Sequence, residues 1–530
     1  MAMRAAHVAT SLLITSVALA VPPAPIPTAT LSVVGTFRTG VFEQGAAEIV
    51  AFDAATKRIF VVNAAATTVD VLDASHPDAP QLLATIDASA LGGSANSVAV
   101  KNGLVAVAIQ DEVKTNAGRV AVYDTATLAL RATFPAGALP DMLTFTPDGK
   151  TILVANEGEP NDDYSVDPEG SLTHIDISAG LENAVVTQIG FTAWNGKQDK
   201  LRTLGVRIYG PGASVAQDLE PEYIAVSADS STAWVTLQEN NAFARIDLAR
   251  RAVDGFLPLG TKDHSLAANA LDASDRDTRV NIASWPVRGL YLPDTVAAYT
   301  TRGKTFLVTA NEGDTRDYDT FAEEARVRDL TLDPSAFPNR AALREVAALG
   351  RLNVTNSLGD VDGDGDFDAL YSFGGRSFSI WNGDGRLIYD SGSEIERRIA
   401  EVSPANFNSD HAASATFDTR SDNKGPEPEG VAVGEHAGRV YAFIGLERQS
   451  GILVYDITDP EQVLFRHYIR NRDFSVPTRL ADGSTNPAAG DLGPEGLTFV
   501  SAAQSPTAKP LLIVGNEVSG TTTIYQLDVN

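Results

Sequence analysis

Beyond residue 30 the chain is written in short apolar runs rich in β-branched residues, separated by Gly, Asp, Asn and Pro. That alternation of brief strands with turn formers predicts an all-β chain. Seven runs share one template, an acid or amide, any residue, then apolar, small and apolar: Glu48–Phe52, Asn96–Val100, Asp141–Phe145, Glu222–Val226, Asp294–Ala298, Glu429–Val433 and Glu495–Phe499. Proline precedes five of them, at Pro140, Pro221, Pro293, Pro428 and Pro494. After a turn, each is followed by a second run, as at Ile59–Asn63, Ile152–Asn156 and Leu511–Asn516. Third runs close most units, and fourth strands are visible at Gln81–Thr85 and Val463–Arg466.

A four-strand unit repeated seven times predicts a seven-bladed β-propeller, with a first strand buried on both faces. The last unit lacks a fourth strand, and Leu31–Phe37 is placed to supply it and close the ring. Uneven spacing predicts insertions at about 157–169 and 192–220 in the third blade. The fifth blade carries one at about 312–370, and another at about 391–426 precedes the sixth. Long insertions in a compact repeat more often serve a site than the scaffold. Helical spacing over Ser335–Arg351 predicts one helix in the largest insertion.

The start of the chain obeys other rules. Arg4, an apolar stretch to Ala20, and small residues at Ala18 and Ala20 give residues 1–20 the layout of a secretory signal peptide. Residues 21–30 form a proline-rich linker, leaving residues 31–530 as a single propeller domain. The expectation is a secreted or periplasmic protein without a transmembrane segment, and a monomer.

Composition changes the picture through charge. The 530 residues carry 41 Lys+Arg against 68 Asp+Glu, a net charge of −27, with 44% hydrophobic residues and no Cys. The hydrophobic content suffices for a core. The charge argues against nucleic acid and anionic lipid as partners. Absence of Cys removes disulfides, thiol nucleophiles and zinc–thiolate sites. An acidic excess points to cations, provided the carboxylates are placed.

They are placed. Six of the seven first strands begin with an acid: Glu48, Asp141, Glu222, Asp294, Glu429 and Glu495. Six second strands end in one: Asp111, Glu157, Glu239, Glu312, Glu447 and Glu517. Antiparallel pairing brings these ends together, so the repeat predicts a double ring of carboxylates at one mouth of the central channel. Two carboxylates about 4 Å apart repel by about 4 kcal/mol at an effective dielectric of 20, so such a ring must take up protons, cations or basic side chains. Any single position is more simply a turn cap. The whole set in register favours a cation site, with all-oxygen ligands suited to Ca²⁺, Mg²⁺ or Mn²⁺.

A second signal is Asp360-Val-Asp-Gly-Asp-Gly-Asp-Phe-Asp368. Asp360, Asp362, Asp364 and Asp368 occupy positions 1, 3, 5 and 9 of a calcium loop, with Gly365 at the sharp turn. Position 12 is Tyr371, so the bidentate Glu of an EF-hand is missing and an isolated loop fits better. Serine-elbow, phosphate-loop and His-Glu-x-x-His motifs are absent from the sequence. His411, in the insertion before the sixth blade, is the best placed histidine, although such residues are more often plain loop residues.

Glu220–Asn241, Thr309–Tyr318, Asn423–Gly430 and Phe443–Arg448 together resemble the choice-of-anchor I domain family. Its members include cell-surface glycoproteins and bacterial proteins labelled alkaline phosphatase-like. The resemblance covers about Leu31 to Leu527 and implies a secreted or surface β-propeller, with phosphatase activity as a weaker implication.

Two functions stand as expectations. In the first, a metal-dependent phosphoesterase, Glu222, Asp294, Glu312, Glu447, Glu429 and Glu495 hold divalent ions that activate water. Glu429 and Glu495 then stand in the catalytic set, and Arg316, Arg420 and Lys424 grip the phosphate of a small-molecule substrate. In the second, a non-catalytic calcium-binding propeller binds an extracellular protein, glycan or mineral surface. The residues themselves leave the choice open.

Overall fold

The computed structural model describes residues 28–530. The expected signal peptide (1–20) and most of the linker (21–30) lie outside the described residues. The described chain forms an all-β, propeller-like fold containing seven four-stranded antiparallel sheets. Sheet I spans Val50–Asp87, sheet II Ser94–Ala138, sheet III Pro140–Gly190 and sheet IV Pro221–Pro258. Sheet V combines Val296–Thr301 and Lys304–Ala310 with Phe378–Asn382 and Leu387–Asp390, while sheet VI spans Pro428–Ile469. Sheet VII contains Pro494–Val500, Leu511–Asn516 and Thr521–Val529, and its fourth strand is Ala29–Arg38 from the other end of the chain.

The core is partitioned between neighbouring sheets. Val107 and Ile109 of sheet II pack with Val62 and Val69 of sheet I. Sheet III meets sheet II through Ile152 and Val154 against Ala106 and Val122. Sheet VII returns to sheet I through Ile513 and Ile524 against Val61 and Leu72. First strands touch one another in the same cyclic order, that of sheet VII lying against that of sheet I. They border an axial cavity of about 240 Å³, lined by Val50, Val98, Met142, Tyr223 and Leu497.

Burial departs from expectation in one respect. The most deeply buried strands are the second ones, such as Ile59–Val62, whereas the first strand Pro140–Phe145 is partly exposed. A first strand borders the axial cavity; a second has protein on both faces and needs an unbroken apolar run.

Two features of the insertions differ from the sequence reading. The helix expected over Ser335–Arg351 is a single turn, Arg340–Leu343. Beyond it the chain folds back, with Leu349 N–H donating to Leu343 C=O and Gly350 N–H to Glu345 C=O. A β-carbon on Gly350 would lie 2.2 Å from the Arg344 carbonyl, so tertiary closure overrides helical spacing. Short strands from Thr261–Asp263, Arg288–Leu290, Glu324–Arg326, Asn353–Thr355 and Tyr371–Ser372 also form an unpredicted five-stranded sheet. Among the described residues no helix is long and apolar enough to cross a membrane.

Closure by Ala29–Arg38 is testable. Deleting residues 28–38 strips the Thr521–Val529 strand of its partner and exposes a sheet edge. Size-exclusion chromatography should then show aggregate in place of the native species, with rescue by a peptide of residues 28–38. An unchanged elution profile and melting temperature would refute a closing role.

Candidate metal centre at the channel mouth

The acids reach the mouth by a recurring local device. In sheets III, IV, VI and VII a proline opens the first strand opposite the end of the second: Pro140 opposite Asn156, Pro221 opposite Leu237, Pro428 opposite Leu446 and Pro494 opposite Asn516. Each register then slips before the next paired apolar residue, so Asp141, Glu222, Glu429 and Glu495 sit in β-bulges. Proline is tolerated where no ladder N–H is needed, and a bulge re-aims the side chain that it carries. Asn96 occupies the matching bulge of sheet II and donates to Gln110 Oε1 at 3.1 Å and to the Pro140 carbonyl at 3.2 Å.

The predicted ring acids other than Asp111 fall within one electrostatic neighbourhood. Burial, then repulsion from Glu517 and Asp141, pushes Glu48 up to about 8. Asp141 rises to about 7 through burial and then Glu159. Glu517 also rises to about 7, through burial and then Glu447. Glu222, Asp294, Glu429 and Glu495 are likewise pushed well above the usual carboxylate range, burial first and neighbouring carboxylates second. Glu222, Glu429 and Glu495 retain some exposed area, yet one oxygen of each is inaccessible and has no hydrogen-bond partner among the described residues. Glu239 and Glu447 carry the same kind of orphan oxygen. A buried, unpartnered carboxylate oxygen is costly, and its natural complement is a cation.

Asp111 departs from the ring. It caps a surface turn, accepting from Asn116 Nδ2 at 3.0 Å and Val113 N–H at 3.1 Å, bonds that hold it below the usual carboxylate range.

The residues expected to grip phosphate each sit beside carboxylates. Arg316 is 2% exposed and is paired with Asp218 and, at 2.8 Å, with Glu220. Arg420 Nε donates to Glu427 at 2.9 Å. Lys424 contacts Glu312 at 2.6 Å and Glu427 at 3.4 Å. Their charges are thus engaged by buried carboxylates, because the insertions fold back over the mouth and place each cation beside an acid.

Sequence reasoning missed the residue at the centre of that compensation. Glu427 is fully buried and receives Lys424, Arg420 and Arg448. Burial alone would raise its carboxyl; the three cations outweigh burial and hold it at about 2. It also has φ 49°, a left-handed conformation costly for a residue with a side chain. Its place between Pro426 and Pro428 was the available sequence signal. Glu323, which pairs with Arg207 and accepts from Tyr209 Oη at 2.7 Å, was likewise not anticipated.

Three sets of candidate ligand atoms converge at the mouth: His411, Glu447 and Glu517; Glu48, Glu495 and Glu517; and Glu312, Glu427 and Glu447. The third is already compensated by Lys424, Arg420 and Arg448. In the first, His411 Nδ1 lies 3.0 Å from Glu447 and 3.9 Å from Glu517. In the separate acidic loop, Asp360, Asp362 and Asp368 come together, while Asp364 stays outside that group. Asp364 instead accepts from Asp366 N–H at 3.0 Å.

The chain is similar to several known proteins. The chain is 34% identical over 191 residues to Gigasin-3a of Magallana gigas, covering 35% of this chain and 67% of that protein. It is 29% identical over 318 residues to the mesenchyme-specific cell surface glycoprotein of Strongylocentrotus purpuratus, covering 52% of this chain and 40% of that protein. Among solved structures, the WD40 domain of Toxoplasma gondii coronin aligns with a TM-score of 0.47 at 10% identity, over 96% of this chain and 88% of that one. The choice-of-anchor I domain profile matches residues 48–460, and the chain belongs to that family.

Proposed function

We propose that the protein is an extracellular or cell-surface β-propeller of seven blades that binds divalent cations at its axial mouth. On this reading each four-stranded sheet is a blade, the insertions form the rim, and a cation-loaded mouth presents a surface to an extracellular ligand. The observation that carries it is the set of buried, unpartnered carboxylate oxygens on Glu222, Glu239, Glu429, Glu447 and Glu495. Oxygen donors of this kind suit Ca²⁺, Mg²⁺ or Mn²⁺. The cell-surface glycoprotein relative supports the location. Arg316, Arg420 and Lys424 are committed to carboxylates, so binding is favoured over phosphoester hydrolysis. The Asp360–Asp368 loop adds a separate, exposed calcium position built on Asp360, Asp362 and Asp368.

Titration calorimetry of chelator-treated protein with Ca²⁺ and with Mn²⁺ tests this. Residues one shell beyond a metal are already worth about 10–100-fold in affinity, so Glu429→Gln and Glu495→Gln should each weaken binding at the mouth by at least about 10-fold. Asp362→Ala should remove only the loop's share. No binding by the wild type, or binding unchanged in both Gln variants, would overturn the proposal. Hydrolysis of p-nitrophenyl phosphate that requires metal and vanishes in Glu429→Gln would establish the phosphoesterase instead.

A further inference from the structure

We infer that the insertions build a second binding site, one that takes a small amphipathic organic anion. Its place is a cavity of about 660 Å³ bordered by Arg202–Tyr209, by Ser357–Val361, and by Thr261 and Leu290 of the five-stranded sheet. None of these segments belongs to the seven four-stranded sheets, and no acid of the ring lines the cavity. Cavities of about 300–1,000 Å³ with apolar walls and a few fixed polar groups have the make-up of small-molecule sites. The site stands independently of cation binding at the mouth.

The walls indicate an apolar body. Val206, Ile208, Leu290, Leu358 and Val361 line the cavity. Leu358 and Val361 are exposed, Val361 by 76%, although they flank the first aspartate of the acidic loop. No core claims these two side chains, and covering them removes apolar surface from water.

The polar groups indicate an anionic head. Arg202, near the end of the helix Gln198–Leu204, donates from Nε to the Ile208 carbonyl at 2.8 Å, which fixes its guanidinium. Its ion-pair partner Asp199 is 3.3 Å away and 92% exposed, a pair that water screens. Arg207 is 6% exposed. Its Nη groups serve Glu323, Ser357 and the Glu239 carbonyl, while its buried Nε–H has no acceptor among the described residues. The one acid lining the cavity, Asp360, is engaged elsewhere: its oxygens accept from Gly363 N–H at 2.7 Å and Gly365 N–H at 3.1 Å. Asn241 is committed too, donating to the Gly260 carbonyl and accepting from Leu292 N–H. Apolar walls with guanidinium donors and no free carboxylate suit a carboxylate or sulfonate on an apolar body, its head on Arg202.

The probe is anilinonaphthalene sulfonate, an amphipathic anion whose fluorescence rises in apolar surroundings. Full-length protein should bind it saturably at one site per chain. Val361→Asp and Leu358→Asp should each weaken binding about 10-fold or more, since each removes apolar wall and adds a like charge. Leu82→Asp, at an exposed apolar position on an outer strand, should leave binding unchanged. Arg202→Gln should weaken the anionic probe about 5-fold or more, and leave neutral phenylnaphthylamine within about 2-fold. Phenylbutanoate should displace the probe, and phenylbutanamide should do so about 5-fold less well. Binding that is absent, unsaturable, or unchanged in both aspartate variants would overturn the site. If Leu358→Asp does not fold, Val361→Asp at the more exposed position decides. Equal losses of charged and neutral probe in Arg202→Gln, or no loss of either, would overturn the anionic assignment.

Discussion

Replacing Glu427 by alanine should destabilise the protein by about 3–5 kcal/mol, the usual cost of removing one partner from a buried ion-pair cluster. Glu427 is fully buried and is the common acceptor for Lys424, Arg420 and Arg448. Lys424 would keep Glu312, and Arg448 would keep Glu447, but Arg420 has no other ion-pair partner among the described residues. Glu427→Gln should lose nearly as much, because it keeps the shape and removes the charge. Glu435→Ala, at an exposed position, should fall within about 0.5 kcal/mol of wild type. Urea denaturation at neutral pH measures all three. A loss below about 1 kcal/mol in Glu427→Ala would show that the cluster does not hold the insertion onto the mouth.

The second large effect joins pH to metal. In chelator, the melting temperature should fall as pH rises from about 5 to about 8, by roughly 5 °C or more. Glu48, held near 8, and Asp141, Glu239 and Glu517, held near 7, remain protonated in the fold at pH values where the unfolded chain has released those protons. Folded protein thus binds more protons than unfolded protein across this window, and stability must fall as pH rises through it. Glu427, lowered to about 2, has the opposite sign, but its contribution is complete above the ordinary carboxylate range and is constant here. A cation present at a hundred times its Kd adds about 2.7 kcal/mol, so saturating Ca²⁺ should close most of the gap at pH 8. A melting temperature that stays flat or rises between pH 5 and 8 in chelator would contradict the crowding of carboxylates.

Much of this was legible in residue order because the repeat is local. The template beginning at Asp141, Glu222, Glu429 and Glu495 encodes proline, bulge and channel-facing acid within four residues, and strand pairing places the second acid. What stayed hidden is non-local. The contacts of Lys424 with Glu312 and of Arg316 with Asp218 join residues about a hundred positions apart, and no spacing rule announces them. Asp111 satisfied the template, yet it is held by its own turn. His411 was the converse, an ordinary loop residue by sequence that packing of the insertion sets beside Glu447. The single turn at Arg340–Leu343 shows the same competition, with apolar spacing yielding to tertiary closure.

The pairing of Val33 with Tyr525 has a consequence for when the molecule can finish folding. Strand Ala29–Arg38 has its ladder partner in the last ten residues of the chain. Joining such distant segments costs loop entropy that grows slowly with length, but pairing of this range is intrinsically slow. An emerging chain must therefore carry this strand unpaired until Thr521–Val529 has been made. Any interruption leaves two exposed edges for proteases or for other copies to meet. Although it precedes every other described strand in the sequence, it is thus among the last to be secured.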